Sequence, residues 1–168
     1  MNKNKIESYS LASDSWGVEE IEAINSVIKS NRYTMGPKVK KFEEEFAQYF
    51  GTNYGIMVNS GSSANLLMIA SLFLSNEYDL NKGDEVIVPA VSWSTTVAPV
   101  IQLGLNPILC DADPKNLGLN LEHFEQLLRT EDIGAVLIVH VLGVPNHMDE
   151  IIELCKKQGS SLIHLMLV

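Results

Sequence analysis

Hydrophobic positions near the start of the chain repeat with the spacing of amphipathic helices. Ile21, Ile24 and Ile28 recur at steps of three and four residues, which predicts a helix from Val18 to about Asn31. A second helix is predicted after the break that contains Gly36 and Pro37. Its apolar positions are Val39, Phe42, Phe46 and Phe50.

From residue 54 onward the pattern changes to short apolar runs that alternate with helical segments. Nearly continuous apolar runs are typical of strands buried on both faces, so the sequence predicts βαβ units and an α/β fold with a mostly parallel sheet. The predicted strands are Tyr54–Val58, Glu85–Pro89, Asn106–Cys110, Ala135–Val139 and a fifth from Ser161 onward. The predicted helices lie between the strands and end near Leu74, Leu103, Leu128 and Gln158.

Composition and charge exclude several classes of function. The chain has 168 residues, of which 46% are hydrophobic and 20% charged, and this suits one globular domain or a large piece of one. Its net charge of -9 disfavours a nucleic-acid partner. The basic cluster Lys38, Lys40 and Lys41 adjoins three glutamates, so we interpret it as a solvated helix face.

Neither membrane insertion nor secretion is predicted. No apolar run approaches the roughly 18 residues that span a bilayer, and the first ten residues lack the apolar core of a secretory signal. These features predict a cytoplasmic location with no membrane partner. Cys110 and Cys155 form no CxxC pair, so buried free thiols are predicted rather than a disulfide or a zinc site.

A glycine-serine turn, Asn59–Asn65, follows the first predicted strand and begins a helix. Ligands of α/β sheets bind beyond the carboxyl ends of strands, and the unpaired N–H groups of a helix start attract anions. Gly61, Ser62 and Ser63 therefore form a candidate phosphate site. The alternative is that a serine merely caps the helix. The turn matches neither a Walker A loop nor GxGxxG.

Trp93 follows the second predicted strand and is expected at the same edge of the sheet. An indole there can stack on a flat cofactor ring, although a tryptophan in the core is the alternative. Together with the glycine-serine turn, Trp93 favours a planar, phosphorylated cofactor.

Several motifs, in order, resemble the DegT/DnrJ/EryC1/StrS aminotransferases, which are fold-type-I pyridoxal 5'-phosphate (PLP) enzymes acting on nucleotide-linked keto sugars. The motifs are NSGSSANLL, GDEVIVPAVSWSTT, DADPKNLGLN and VHVLGVPNHMDEI, and the similarity runs from about residue 15 to residue 163. The resemblance implies a three-layer large domain with sheet order 3-2-4-5-6-7-1. It further implies an N-terminal arm and helix over 1–37 and part of the PLP-binding domain over 38–168.

The resemblance also implies roles for individual residues. Gly61, Ser62 and Ser63 match the turn that binds the cofactor phosphate, and Trp93 matches the aromatic residue that stacks on the pyridine ring. His140 and Gly143 match the end of the fourth strand without a defined role. No metal is implied, and Asp111 and Asp113 are interpreted as turn-forming acids before Pro114 rather than as metal ligands.

The chain departs from the family pattern in its last residues. Leu165 stands where the family has the aspartate that pairs with the pyridinium nitrogen, and the lysine that binds the cofactor covalently has no counterpart. No catalytic residue is therefore assigned. We expect a sheet truncated after about five strands and a chain that is inactive by itself.

The function implied at family level is PLP-dependent amino transfer from glutamate to a nucleotide-linked keto sugar, in deoxyamino-sugar or surface-polysaccharide synthesis by a homodimer. Two alternatives stay open. One is a PLP-dependent nucleotide-sugar 3-dehydratase, because SGSSANLLMIASLF with PAVSWSTT resembles the GDP-4-keto-6-deoxymannose 3-dehydratase subgroup. The other is a non-catalytic remnant that binds a phosphate or a partner subunit. Outside the resemblance, the remaining alternative is an unrelated phosphate-binding α/β domain.

Overall fold

The structure is a computed structural model that describes residues 14–75, 78–158 and the backbone of 164–167. The chain divides into two compact units, one up to Met57 and the other from Val58. The arm predicted at the amino terminus lies almost entirely outside the described residues. The predicted domain division, 1–37 and 38–168, stays a prediction.

The first unit contains the two predicted amphipathic helices, α1 (Val18–Ser30) and α2 (Pro37–Phe50). Helix α1 begins where the Gly17 N–H donates to the Glu20 carboxylate at 2.6 Å. Helix α2 begins with a proline, whose missing N–H is not needed in the first turn. Gly51, with a φ of 68°, caps its carboxyl end. The basic cluster lies on an exposed helix face, as predicted, with ion pairs Lys40–Glu44 and Lys41–Glu45.

The predicted strand Tyr54–Val58 is wrong, because this segment has no regular secondary structure. Its backbone instead lies against α2. The Met57 N–H donates to the Glu43 carboxylate at 2.9 Å, and a Cβ on Gly55 would lie 2.7 Å from the Glu43 carbonyl oxygen. A strand needs a neighbouring strand for its hydrogen bonds, and no described strand pairs with this segment.

The second unit is built on four parallel strands: β1 (Glu85–Pro89), β2 (Asn106–Cys110), β3 (Ile133–Ile138) and β4 (His164–Leu167). Their spatial order is β2-β1-β3-β4. Because β1 to β4 are the second to fifth predicted strands, this order is the 3-2-4-5 part of the predicted sheet order. The first two have the predicted bounds, whereas the third begins two residues earlier and ends one residue earlier than predicted. Residues 161–163 of the fifth predicted strand lie outside the described residues.

Helices cover both faces of this sheet, which confirms the predicted three-layer α/β architecture. The helices are α3 (Gly61–Leu74), α4 (Ser94–Gln102), α5 (Leu121–Thr130) and α6 (Met148–Lys157). One core joins α3 and α4 to the sheet through Ile69, Leu72, Val86, Val88, Val100 and Leu137. The other joins α5 and α6 to it through Ile87, Phe124, Leu128, Val136, Ile138 and Ile151.

Both cysteines are free thiols, as predicted, and they differ in burial. Cys110 is buried on β2, and burial raises the pKa of its thiol to about 12. Cys155 on α6 is half-buried, and burial raises the pKa of this thiol as well. Among the described residues, no helix combines the length and apolar character needed to cross a membrane.

A buried amide joins the loop before α5 to the end of β3. Asn146 is 6% exposed; its Oδ1 accepts from the Leu119 N–H at 2.7 Å and its Nδ2 donates to the Val139 carbonyl at 2.8 Å. Gly118 makes room for this amide, because a Cβ on Gly118 would lie 2.7 Å from the Asn146 Cγ. A side chain at position 118 is therefore excluded by packing.

We expect Gly118→Ala to lower the free energy of unfolding by about 1–3 kcal/mol, because the added methyl displaces the Asn146 amide. Urea denaturation followed by circular dichroism measures the change. Gly61→Ala is the matched control, since a Cβ on Gly61 meets no atom within 4 Å. Equal losses of unfolding free energy in Gly118→Ala and Gly61→Ala would contradict the packing argument.

We also expect the chain to be poorly stable and to associate in solution. Helix α2 exposes Phe42, Phe46 and Phe50, and the following segment exposes Ile56; exposed apolar surface favours association. Phe46→Glu should reduce association, whereas Glu44→Gln on the same helix should not. Size-exclusion chromatography measures the association, and thermal denaturation measures the stability. A monodisperse monomer melting cooperatively at about 45–65 °C or above would refute the expectation.

Candidate functional site

A cavity of about 890 Å³ lies at the edge of the sheet where the parallel strands β1 and β3 end. The amino termini of helices α3 and α4 border it. Its lining comes from those helix starts and from the loops that follow the two strands. The lining residues are Gly61, Ser62, Asn65, Val91, Ser92, Trp93, Thr95, Thr96, Val139, His140, Val141 and Leu142.

The start of α3 presents backbone N–H groups to this cavity. Ser60 caps the helix: its Oγ accepts from the Ser63 N–H at 3.2 Å, and its carbonyl accepts from the Ala64 N–H at 3.1 Å. The N–H groups of Gly61 and Ser62 and the Ser62 hydroxyl have no hydrogen-bond partner in the described part of the chain. Free donors at a helix start are a site for an anion.

Ser63 lies beside the cavity but does not line it. Its hydroxyl donates to the Asn59 Oδ1 at 2.6 Å, and the Ser60 hydroxyl donates to the Ser63 Oγ at 3.2 Å. This network holds the turn in place. Of the three residues predicted to bind phosphate, the structure thus places Gly61 and Ser62 at the cavity and Ser63 behind them.

Trp93 is the N-cap residue of α4 and lines the cavity. Its side chain is 82% exposed, so it is not a core tryptophan. The indole is therefore available to a flat ring, and the structure brings it to the same cavity as Gly61 and Ser62.

Asn65, which sequence reasoning missed, connects the two helix starts. It is 6% exposed, and its Nδ2 donates to the Thr95 carbonyl at 3.2 Å. The signal in the sequence was a lone amide within the apolar run of α3. Its partner is 30 residues away, so the sequence did not indicate what the amide binds.

His140, for which the sequence left the role open, lines the cavity beyond the end of β3. Its Nδ1 lies 3.2 Å from the backbone nitrogen of Asn146. Gly143, the other residue matched at this strand end, has a φ of 78° and follows Leu142, which has a φ of 53°. These left-handed conformations turn the chain sharply beside the cavity, a position that favours glycine.

The two aspartates of the DxD motif organise a turn, as interpreted from the sequence. Asp111 accepts from the Ala112 N–H and Asp113 accepts from the Lys115 N–H, each at 2.8 Å. The second carboxylate also lies 3.5 Å from the His147 Nε2. Their oxygens are thus used within the loop.

The cavity combines an electropositive rim with an uncharged lining. No aspartate, glutamate, lysine or arginine is among the described residues that line it. Two helix amino termini border it, and each carries partial positive charge. This arrangement suits a ligand with one oxyanion and a flat apolar body. The geometry suits the binding and orientation of such a ligand, and none of the described lining residues is a lysine that could form a covalent bond.

Comparison with known proteins identifies relatives. A profile of the DegT/DnrJ/EryC1/StrS aminotransferase family matches residues 14–164. A GDP-4-keto-6-deoxy-D-mannose 3-dehydratase from Yersinia pseudotuberculosis is 48% identical over 88% of this chain and 37% of its own length. A dTDP-4-dehydro-2,3,6-trideoxy-D-glucose 4-aminotransferase from Saccharopolyspora spinosa is 33% identical over 88% of this chain and 37% of its own.

A solved structure of a GDP-4-keto-6-deoxymannose 3-dehydratase with a trapped PLP-glutamate geminal diamine has a similar fold. The TM-score is 0.87 at 46% identity, over 95% of this chain and 40% of that one. The fold-type-I assignment and the family's cofactor, PLP, are thereby confirmed. The chain spans less than half the length of these relatives.

We predict that the free donors of the α3 turn bind phosphate. Ser62→Asp should abolish binding of inorganic phosphate, because each hydrogen bond to a charged group contributes about 1.5–3 kcal/mol and the new carboxylate repels the anion. Ser63→Ala should weaken binding less, because its hydroxyl faces Asn59. Phosphorus NMR titration measures the affinities.

Ser71→Ala is the control for the phosphate titration, because the Ser71 hydroxyl is exposed and donates to the Met68 carbonyl on the same helix. Phosphate affinity that is equal in Ser62→Asp and in the parent chain would show that the turn is not the anion site.

Proposed function

Because the chain belongs to the DegT/DnrJ/EryC1/StrS aminotransferase family, we propose that it is the cofactor-binding part of a PLP enzyme that removes the 3-hydroxyl group from a nucleotide-linked 4-keto-6-deoxy sugar. The observation that carries this proposal is the higher identity to a 3-dehydratase, 48%, than to an aminotransferase of the family, 33%. This difference in identity favours 3-dehydration, which the sequence offered as an alternative, over amino transfer, which it offered as the main function. Amino transfer is the second candidate.

The residues at the cavity fit the cofactor. The N–H groups of Gly61 and Ser62 and the Ser62 hydroxyl, which have no partner among the described residues, suit its phosphate. The exposed Trp93 indole suits its ring. A volume of about 890 Å³ lies within the range of small-molecule pockets. When bound, PLP supplies an electron sink that stabilises negative charge on a substrate carbon.

We propose that the chain's own residues bind and orient the cofactor and do not transfer protons. None of the described lining residues is a lysine. Leu165 on β4 is paired in register with Val136, at the position where the family resemblance expects an aspartate. A leucine side chain cannot keep a proton on the pyridine nitrogen. We therefore assign no catalytic residue to this chain.

Substrates and assembly are proposed at family level. Glutamate is the proposed amino donor to the cofactor, supported by the PLP-glutamate adduct in the related dehydratase structure. A nucleotide-linked keto sugar is the proposed substrate, for surface-polysaccharide synthesis by a homodimer. Leu165 also supports the alternative of a non-catalytic subunit that retains the cofactor site.

The test is a binding and turnover assay on the 168-residue chain. We expect saturable PLP binding, measured by equilibrium dialysis with the absorbance of PLP, and no turnover of GDP-4-keto-6-deoxymannose with PLP and glutamate. Trp93→Leu should weaken PLP binding about tenfold, because the loss of one desolvated aromatic contact costs roughly 0.5–1.5 kcal/mol beyond its area. Trp16→Leu, at the exposed second tryptophan, is the matched control.

No sugar product is expected, and mass spectrometry identifies the reaction if one forms. Loss of the 3-hydroxyl indicates dehydration, and gain of nitrogen indicates amino transfer. Turnover above the free-cofactor background would overturn the assignment of a binding role alone. Absence of PLP binding would overturn the proposed cofactor site.

A further inference from the structure

The hydrogen bonds around His140 determine which ring nitrogen carries the proton. Its Nδ1 lies 3.2 Å from the backbone nitrogen of Asn146 and 3.2 Å from the Nδ2 of the same residue. A backbone N–H can only donate, so Nδ1 must accept and cannot carry a proton. In the neutral ring, the proton is therefore on Nε2.

This Nε2–H donor is without an acceptor in the described part of the chain. His140 is half-buried and lines the same cavity as Ser62 and Trp93. A half-buried donor at a ligand-sized cavity is satisfied by water or by a ligand atom. An oxygen of a bound ligand would complete its hydrogen bonding.

Asn146 is itself held firmly, so the ring has a fixed support. Its Oδ1 accepts from the Leu119 N–H and its Nδ2 donates to the Val139 carbonyl. These two backbone partners determine the orientation of the amide, because an N–H must donate and a carbonyl must accept. The amide is 6% exposed and lies against Gly118.

We propose that Asn146 is a positioning residue that keeps His140 in the Nε2–H tautomer, and that this N–H donates to an oxygen of the ligand bound in the cavity. The identity of that ligand, PLP, rests on the proposed function. The assignment of the tautomer does not rest on the proposed function, since it follows from hydrogen bonds within the chain.

Nitrogen NMR of the histidine rings tests the tautomer directly. In the ligand-free chain, His140 should show a proton on Nε2 and none on Nδ1. His123 is an internal control, because its Nδ1 accepts from the Asp111 N–H at 3.0 Å and it does not line the cavity. Addition of PLP should shift the Nε2 signal of His140 and leave that of His123 unchanged. A proton on the Nδ1 of His140 would overturn the positioning role.

A substitution at the support tests whether Asn146 controls the ring. Asn146→Asp retains the oxygen that accepts from Leu119 but places a carboxylate oxygen where Nδ2 lies near the His140 Nδ1. We expect this Nδ1 to gain a proton, while the His123 signals stay as in the parent. Unchanged His140 signals in a folded Asn146→Asp variant would show that Asn146 does not set the tautomer.

Two substitutions of His140 separate its hydrogen bond with Asn146 from its hydrogen bond to the ligand. His140→Asn places an acceptor near the Nδ1 position but lacks the Nε2–H, whereas His140→Gln places an amide N–H near the Nε2 position. We expect His140→Asn to weaken PLP binding about tenfold and His140→Gln to retain most of the affinity. His123→Asn should bind like the parent. Equal affinities of His140→Asn and the parent would refute the ligand contact.

Two further probes identify the oxygen that accepts. A loss of affinity in His140→Asn for pyridoxal, which lacks the phosphate, assigns the contact to a ring substituent, and a loss for inorganic phosphate assigns it to the phosphate. A parent chain that binds none of the three probes overturns the proposed function and the ligand contact. The tautomer measurement then still decides the role of Asn146.

Discussion

The parallel pairing of β1 with β2 and β3 is the constraint on which the rest of the structure depends. Because β1 is buried on both faces, Val86 and Val88 contribute to one core and Ile87 to the other. Parallel strands must be joined by crossovers, so their carboxyl ends all reach one edge. That edge holds Trp93 after β1 and His140 after β3. The ligand cavity is thus a consequence of strand direction.

The hydrogen-bond donors that the cavity offers to an anion belong to backbone groups and neutral side chains. Ser60 and Ser63 hold the α3 turn through their own hydrogen bonds, and the donors of Gly61 and Ser62 have no partner in the part of the chain that the structure describes. The Asn65 amide joins this turn to the start of α4. Ordering the donors before a ligand arrives lowers the entropic cost of binding. A neutral lining also avoids the desolvation of a buried charge.

The segment Tyr54–Val58 shows where local pattern and tertiary structure disagree. Its apolar run is typical of a strand, yet strand formation depends on a partner for the backbone N–H and carbonyl groups. Here the Met57 N–H is satisfied by Glu43 on α2, and Tyr54 and Ile56 remain exposed. β-Propensity describes a residue's fit to a sheet and does not supply the sheet.

The sequence by itself determined the class of fold, the bounds of most helices and strands, and the family. Burial on both faces requires an apolar residue at nearly every strand position, so a short stretch of sequence is enough to predict such a strand. Gly61, Ser62 and Trp93 lie in short local motifs, and the structure places all three at one cavity. Tertiary structure alone decided the roles of Asn65, Asn146 and Ser63, because the partners of the two amides lie 30 and 27 residues away in the chain and the Ser63 hydroxyl has several possible acceptors. A hydrogen bond depends on the positions of both the donor and the acceptor. The sequence shows that each group is present but does not show which distant group lies beside it.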